Sequence, residues 1–276
     1  MPVFQDQMSS TVDIPSTPKR IISIVPSQTE LLFDLGLDEE IIGITKFCIH
    51  PTDKVKSKTK VGGTKTLNIN LIKQLNPDLI IGNKEENECS QVEELMKDFP
   101  VWMSDISDLK GATDMIKLVG EITGKSAGAN QLVYNIALGF SKPDIGARGL
   151  RVAYLIWRKP YIIAGKGTFI DDMLQKSDLI NAFDTERYPE IDSDQLVSAN
   201  PDVILLSSEP YPFKEKHIAE FKALLPNVII KLVDGELFSW YGSRLLHAPE
   251  YFNSLIRELK SVESATNRWN HSKNNL

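Results

Sequence analysis

The chain has 276 residues, of which 42% are hydrophobic and 25% charged, and its formal net charge is -6. That balance supports about two globular domains with a sizeable core, and it excludes a general nucleic-acid surface, which needs a basic footprint. Its apolar runs are a few residues long, far short of a membrane span. Cys48 and Cys89 lie 41 residues apart and make neither a disulfide framework nor a Cys-x-x-Cys pair. The first ten residues lack the basic and apolar segments of a secretory leader, which for the sequence as it stands favours a cytoplasmic address.

In chain order, Arg20-Ile-Ile-Ser-Ile-Val25 is a β-branched run that predicts a buried parallel strand ended by Pro26. Ser27-Gln28-Thr29-Glu30 fits a capping box, with Ser27 as N-cap and Glu30 at N3. It opens a helix whose apolar face is Leu31, Leu32 and Leu35 and which Gly36 stops. A strand at 41–44, a polar loop at 46–65 containing Gly62-Gly63, a helix near 70–75, a buried strand at 77–81, a helix at 88–98, a strand at 101–103 and a helix at 109–123 follow. Residues 126–141 have helical composition, with Leu132, Ile136 and Phe140 on one face and Pro143, Gly146 and Gly149 beyond. With no strand on either immediate side, this helix reads as a connector between two lobes. In the second half, a strand runs from Val152 to Trp157, and Gly165-Lys166-Gly167 bends the chain into a helix capped by Thr168 with Asp171 at N3. The last helix spans about 247–260, and from 263 onward the polar chain is expected to fray.

An internal echo organises these elements. Leu75-Asn76-Pro77-Asp78-Leu79-Ile80-Ile81 recurs 124 residues later as Ala199-Asn200-Pro201-Asp202-Val203-Ile204-Leu205, each after a helix and before a polar loop. Lys19-Arg20 before the first strand likewise matches Leu150-Arg151 before the strand of the second half. The expected organisation is an N-terminal α/β lobe over 1–124, a connecting helix over 125–146 and a C-terminal α/β lobe with a polar tail over 147–276.

Catalytic and nucleotide signatures are missing. Gly124-Lys125-Ser126 lacks the upstream glycine of a phosphate loop, Gly165-Lys166-Gly167 lacks the third glycine of a dinucleotide fingerprint, and there is no Gly-x-Ser-x-Gly or His-Glu-x-x-His. The four histidines stand apart from one another; His217, in a charged helical stretch, is expected to be solvated. Phe47, Cys48 and His50 share the loop after the second strand, where a thiolate and an imidazole two residues apart suit a transition metal, although no further protein ligand lies near in sequence. Packing or cleft lining is the plainer reading of that pair. Aromatic and basic residues gather on the strand-to-helix loops of the second half: Trp157, Arg158 and Tyr161, then Tyr188, then Trp240, Tyr241, Arg244 and His247. Ligands of parallel α/β sheets bind outside the carboxyl ends of the strands, where such loops collect.

The stretch Lys19-Arg-Ile-Ile-Ser-Ile-Val-Pro-Ser-Gln-Thr-Glu-Leu-Leu-Phe-Asp-Leu-Gly36, followed by Val61-Gly62-Gly63, the paired Asn-Pro-Asp strands and Gly242-Ser243-Arg244, resembles the class III substrate-binding proteins of ABC importers, which carry cobalamin, haem and iron-siderophores. The resemblance covers about residues 15–262 and is nearest the cobalamin-binding members. It implies two Rossmann-like lobes with parallel sheets, a single long backbone helix between them, a rather rigid hinge and a ligand held in the interlobe cleft without turnover. It implies pocket residues Phe47, Cys48, His50, Thr64, Lys65, Asn83, Lys84 and Glu85 on the first lobe. On the second it implies Trp157, Tyr161, Tyr188, Trp240, Tyr241 and Arg244, with Cys48 and His50 as candidate metal contacts. It further implies a monomer with no intrinsic cofactor, a bound ligand containing iron or cobalt, a periplasmic address and docking on an importer permease through Asp194. The chain departs from cobalamin binders in carrying Thr64 and Asn83 where they carry tryptophans, and Asn70 where a first-lobe docking acid is expected. An intracellular sensor or carrier on the same fold, or an enzyme acting on a chelate, are the alternatives.

Overall fold

Each predicted buried run becomes a sheet strand in the computed structural model, which describes residues 3–14, 16–141 and 149–273. The chain divides into two compact units, one comprising Met1–Ile136 with Tyr241–Arg244 and the other Ala137–Trp240 with Leu245–Leu276.

The first unit opens with an antiparallel hairpin, β1 (Val3–Gln5) and β2 (Thr11–Asp13). Its sheet has the order β5-β4-β3-β6-β7 and is parallel throughout, from β3 (Ile21–Ser23), β4 (Ile41–Ile44), β5 (Thr59–Lys60), β6 (Leu79–Asn83) and β7 (Val101–Ser104). Helices α1 (Pro26–Asp34), α2 (Ile69–Leu75), α3 (Cys89–Met96) and α4 (Leu109–Ile122) alternate with the strands. Ile22, Ile24, Ile80, Val92, Leu95 and Val101 are buried together on one side of this sheet.

The helix expected at 126–141 forms as α5 (Ser126–Phe140), and one division between the units falls inside it, others falling on either side of Tyr241–Arg244. Residues 142–146 of the expected segment, including Pro143 and Gly146, lie outside the described residues.

The second unit contains β8 (Arg151–Trp157), β9 (Tyr161–Ile163), α6 (Phe169–Lys176), β10 (Ile180–Asn181), β11 (Glu190–Ile191), α7 (Ser193–Ser198), β12 (Val203–Ser207), α8 (Glu215–Leu224), β13 (Ile229–Val233), α9 (Gly235–Ser239) and α10 (Ala248–Lys273). Its strand order is β11-β9-β8-β12-β13, with β10 also on β8. β8, β12 and β13 run parallel, but β9 is antiparallel to β8, and β11 to β9, so this sheet is mixed where a parallel one was expected. The cause is local: three residues separate β8 from β9, too short for a parallel crossover and long enough for a hairpin. The last helix continues to Lys273, past its expected end near 260. No helix among the described residues is long and apolar enough to cross a membrane.

The sequence echo is a shared structural clip. Asn76 and Asn200 both hold a left-handed backbone, at φ 44° and 45°, which asparagine tolerates better than most residues. Each lets the chain turn through proline into a central strand. Asp78 then accepts the backbone N–H groups of Lys19 and Arg20 at 2.7 and 2.9 Å, while Asp202 accepts that of Arg151 at 2.7 Å. The guanidinium of Arg20 donates to the carbonyls of Leu75 and Asn76, and that of Arg151 to those of Ala199 and Ala182. In each unit the clip ties the start of the first central strand, β3 or β8, to the turn feeding its neighbour, β6 or β12.

Strand order reverses direction at those same pairs, between β3 and β6 and between β8 and β12. In open α/β sheets the crevice outside the carboxyl ends of the strands at such a switch point is where ligands bind.

Candidate functional site

In the first unit the loops at this position are built from buried amides. Asn83 ends β6 fully buried, and its side-chain oxygen accepts the N–H groups of Glu85 at 2.8 Å and Glu86 at 3.1 Å. Its amide nitrogen donates to the carbonyl and hydroxyl oxygens of Ser104, and the Ser104 hydroxyl also accepts from the Gln28 side chain on α1. Asn83 therefore shapes the Lys84-Glu85-Glu86 turn from below, where the resemblance placed it against ligand. Lys84 leans to the rim and pairs with Asp105 at 2.6 Å.

The loop after β4 exposes Phe47, 52% accessible, with the Lys46 ammonium 5.1 Å from its ring centroid, and exposes Ile49 beside it. His50 is half-buried. Cys48 points inward: its sulfur lies 3.1 Å from the Thr29 hydroxyl and 3.2 Å from that of Thr45. Burial pushes its thiol pKa up despite those hydrogen bonds. The expected thiolate–imidazole pair is thus corrected, because the sulfur is a packed, neutral group. Thr64 and Lys65 occupy a tight turn closed by the Gly63 N–H donating to Thr66 at 2.8 Å, and the Lys65 ammonium donates to the Glu85 carbonyl at 2.6 Å.

Tyr241 and Arg244, read from the sequence as second-lobe residues, pack with the first unit. The Arg244 guanidinium grips Glu30 of α1 through two hydrogen bonds, 2.9 Å from Nε and 2.6 Å from Nη2, with both side chains about 15% accessible or less. The Tyr241 hydroxyl donates to the Glu86 carboxylate. Gly242 lies between them, and a Cβ there would come within 2.6 Å of the Ser27 carbonyl, so only glycine lets the segment approach α1 this closely. The predicted capping box is corrected for the same reason. Val25 is the N-cap, Pro26 starts α1 and no side chain caps it, while the Glu30 carboxylate is engaged by Arg244.

The second unit presents charged and aromatic chemistry at its switch point. Trp157 at the end of β8 is 40% accessible and meets Tyr211 edge-on at 5.7 Å. Arg158 donates to Glu220 of α8 at 2.8 Å, and Tyr161 donates to the other oxygen of that carboxylate at 2.6 Å. Burial and the Glu220 bond together push the Tyr161 phenol up to about 12. Burial works to raise Glu220, but its bonds to Arg158 and Tyr161 outweigh that and hold its pKa below the usual value.

His217, expected to be solvated, is instead buried: its Nδ1 accepts the Lys214 backbone N–H at 2.9 Å at the head of α8, and Phe213 packs edge-on against the ring. The head of a helix has unpaired N–H groups, and here an imidazole satisfies one of them. Trp240 is buried, its indole donating at 2.9 Å to Glu209, a carboxylate that also accepts from Ser239. It is a brace and offers no open stacking face. Tyr188 is half-buried, with the Arg187 guanidinium 5.8 Å from its ring centroid. Asp194 is exposed in the first turn of α7, behind a capping box formed by Asp192 and Gln195.

The predicted residues therefore fall into two sets, 47–50, 64–65, 83–85, 241 and 244 in the first unit and 157, 161, 188 and 240 in the second. Missed from the sequence were Asn87, Tyr211, Glu209 and Glu220, partners that hold the predicted loops, while Glu30 was expected only as part of a cap and Glu86 closes the pocket loop, 83–86, that the resemblance implies. No group of three or more His, Cys, Asp or Glu side chains able to hold a metal ion gathers among the described residues.

A family model described as periplasmic binding protein matches residues 21–226, most of the chain, and the chain belongs to that family. It is 26% identical over 216 residues to an uncharacterized ABC transporter substrate-binding lipoprotein, YvrC, of Bacillus subtilis, covering 73% of this chain and 68% of that one. It is 23% identical to a cobalamin-binding protein of Halobacterium salinarum over 74% of this chain and 58% of the relative's length. The crystal structure of the periplasmic vitamin B12 binding protein BtuF of Vibrio cholerae superposes with a TM-score of 0.73 at 21% identity, covering 89% of this chain and 99% of that chain, and shares its fold.

Proposed function

We propose that this member of the periplasmic binding protein family is the substrate-binding component of an ABC-type uptake system and that it holds a corrinoid or iron chelate whose metal is already coordinated. The observation that carries this reading is that two phenols at the candidate loops are committed to carboxylates. Tyr161 donates to Glu220 and Tyr241 to Glu86. A phenol tied in this way, with its pKa pushed up to about 12 in the case of Tyr161, does not supply the phenolate that ferric iron prefers. The neighbouring cations are matched as well, Arg244 by Glu30, Arg158 by Glu220 and Lys84 by Asp105. What the first-unit loops offer a ligand is outer-sphere contact, from Phe47, Ile49 and Thr64, and the second unit, taken by itself, exposes Trp157 at its own switch point. Asp194 is the acidic group assigned to a membrane permease.

Calorimetric titration with cyanocobalamin, haemin and a ferric tris-catecholate tests the reading. Binding of at least one with a dissociation constant of about 1 μM or tighter, equivalent to roughly -8 kcal/mol, is the expected result. Failure of all three removes the proposal. A visible phenolate-to-iron band that disappears in Tyr161→Phe or Tyr241→Phe overturns the outer-sphere mode.

A further inference from the structure

Three first-unit loops converge on one side chain, Asn87, in the turn between β6 and α3. Its amide is buried, 4% accessible. The side-chain oxygen accepts the Asn83 N–H at 2.8 Å. The nitrogen donates twice, to the carbonyl of Ile24 at 3.0 Å, where β3 ends, and to the carbonyl of Thr64 at 3.1 Å, in the turn after β5. Three of the four hydrogen bonds an asparagine side chain can make are thus spent on three different loops. Gly82 admits this arrangement. A Cβ on Gly82 would stand 2.8 Å from the Asn87 oxygen and 2.8 Å from the Met103 sulfur, so glycine is required for the amide to lie against β6.

The loops tied in this way carry predicted ligand residues. The Thr64 turn carries Lys65, whose ammonium reaches back to the Glu85 and Asn87 carbonyls at 2.6 and 3.3 Å. Gln91 braces the same turn, donating to the Lys65 carbonyl and accepting the Leu67 N–H at 2.7 Å. The Asn83 turn carries Glu86, which receives the Tyr241 hydroxyl. The third tether, at Ile24, lies two residues before α1, which carries Glu30 and so Arg244.

We infer that Asn87 is the positioning residue of the first-unit binding surface, holding the loops after β3, β5 and β6 in one arrangement before a ligand arrives. This rests on the proposed function for its consequence in binding, because a surface ordered in advance spares the ordering cost on association. No ligand contact is assigned to Asn87. Aspartate cannot replace it: one carboxylate oxygen still accepts from Asn83, but the other faces the Ile24 and Thr64 carbonyls with no proton to donate.

The test compares Asn87→Ala and Asn87→Asp with a control in α4, Ile116→Val or Ile116→Ala, whichever matches their loss of melting temperature. Hydrogen exchange is followed at residues 62–66 and 83–88, and dissociation of the chelate bound by the wild type is timed. The expected result is exchange about tenfold faster or more at both loops in the Asn87 variants alone, the scale of a lost buried hydrogen bond, with faster dissociation alongside. Asn87→Asp should be at least as severe as Asn87→Ala. If the control accelerates exchange at those loops equally, or if neither Asn87 variant does so, the inference is overturned. A wild type that binds none of the three chelates removes the proposed function, while the exchange comparison still decides whether Asn87 orders the loops.

Discussion

Both units end a helix on a left-handed asparagine and clip the next strand with an aspartate, but beyond the clip they are built from different materials. In the first unit the loops at the switch point are locked by amides and hydroxyls, from Asn83, Asn87, Gln28 and Ser104, on backbone carbonyls and N–H groups. In the second the corresponding loops are held by titratable groups, with Arg158 and Tyr161 on Glu220, Trp240 on Glu209, and His217 on Lys214. Neutral hydrogen bonds are indifferent to pH and weakly affected by salt, whereas ion pairs and imidazoles respond to both. One fold plan is thus held largely by amides at these loops in one unit and by titratable side chains in the other.

The exception in the first unit is the sharpest way to break this contrast. Arg244 and Glu30 are a largely buried charged pair beside the amide frame, where the Lys84–Asp105 pair is more exposed, and Arg244→Ala leaves the Glu30 carboxylate partly buried and unmatched. A loss of about 2 kcal/mol of stability is expected, read by denaturant unfolding, and Glu30→Ala combined with it should recover part of that loss. If Arg244→Ala leaves stability untouched and weakens ligand binding alone, Arg244 belongs to the ligand and not to the frame.

The clips allow a smaller, matched comparison. Asp78 accepts two backbone N–H groups and Asp202 one. At about 1 kcal/mol per net hydrogen bond, Asp78→Ala should cost roughly twice what Asp202→Ala does. Equal losses would mean that the guanidinium contacts of Arg20 and Arg151 carry the clips.

The smallest effects are in the pH response of the second unit. Burial lowers the His217 pKa, with Arg158, Lys216 and Lys214 lowering it further and Glu220 opposing them. The unfolded chain then binds a proton more readily, so the stability due to the neutral ring is complete above about 6.5 and declines as pH falls from there toward the folded value. His217→Asn should flatten the melting temperature between pH 7 and 5; an unchanged slope would count against the imidazole cap. Glu220 is held below its ordinary value, so its contribution is present above the unfolded carboxylate value near 4.3 and disappears as pH falls through the folded one. Tyr161→Phe removes one of the bonds that lower it and should move acid unfolding to slightly higher pH, which circular dichroism would record.

The sequence signals that held were local ones. The Asn-Pro-Asp clips, the Thr168 cap on α6 and the helical run of α5 are set by residues within a few positions of one another, where turn chemistry and helical periodicity act directly. The His217 cap was of the same kind, a side chain three residues after the N–H it satisfies, and the charged composition of α8 hid it. For Cys48 the plainer of the two readings, packing, is the one its neighbours in space support, since Thr29 and Thr45 and not His50 meet its sulfur.

The amino-acid sequence by itself determined that the chain forms two α/β units of one plan, each with a central strand fed by an Asn-Pro-Asp turn. This follows from short-range patterns of β-branched runs, caps and turns. Only the tertiary structure decided what each loop residue does. Arg244 meets Glu30 across 214 positions, and Tyr241 meets Glu86 across 155. No periodicity or spacing encodes such a pairing, because it arises where loops from separate strands are brought to the same end of a sheet and each buried polar group must take the partner within reach.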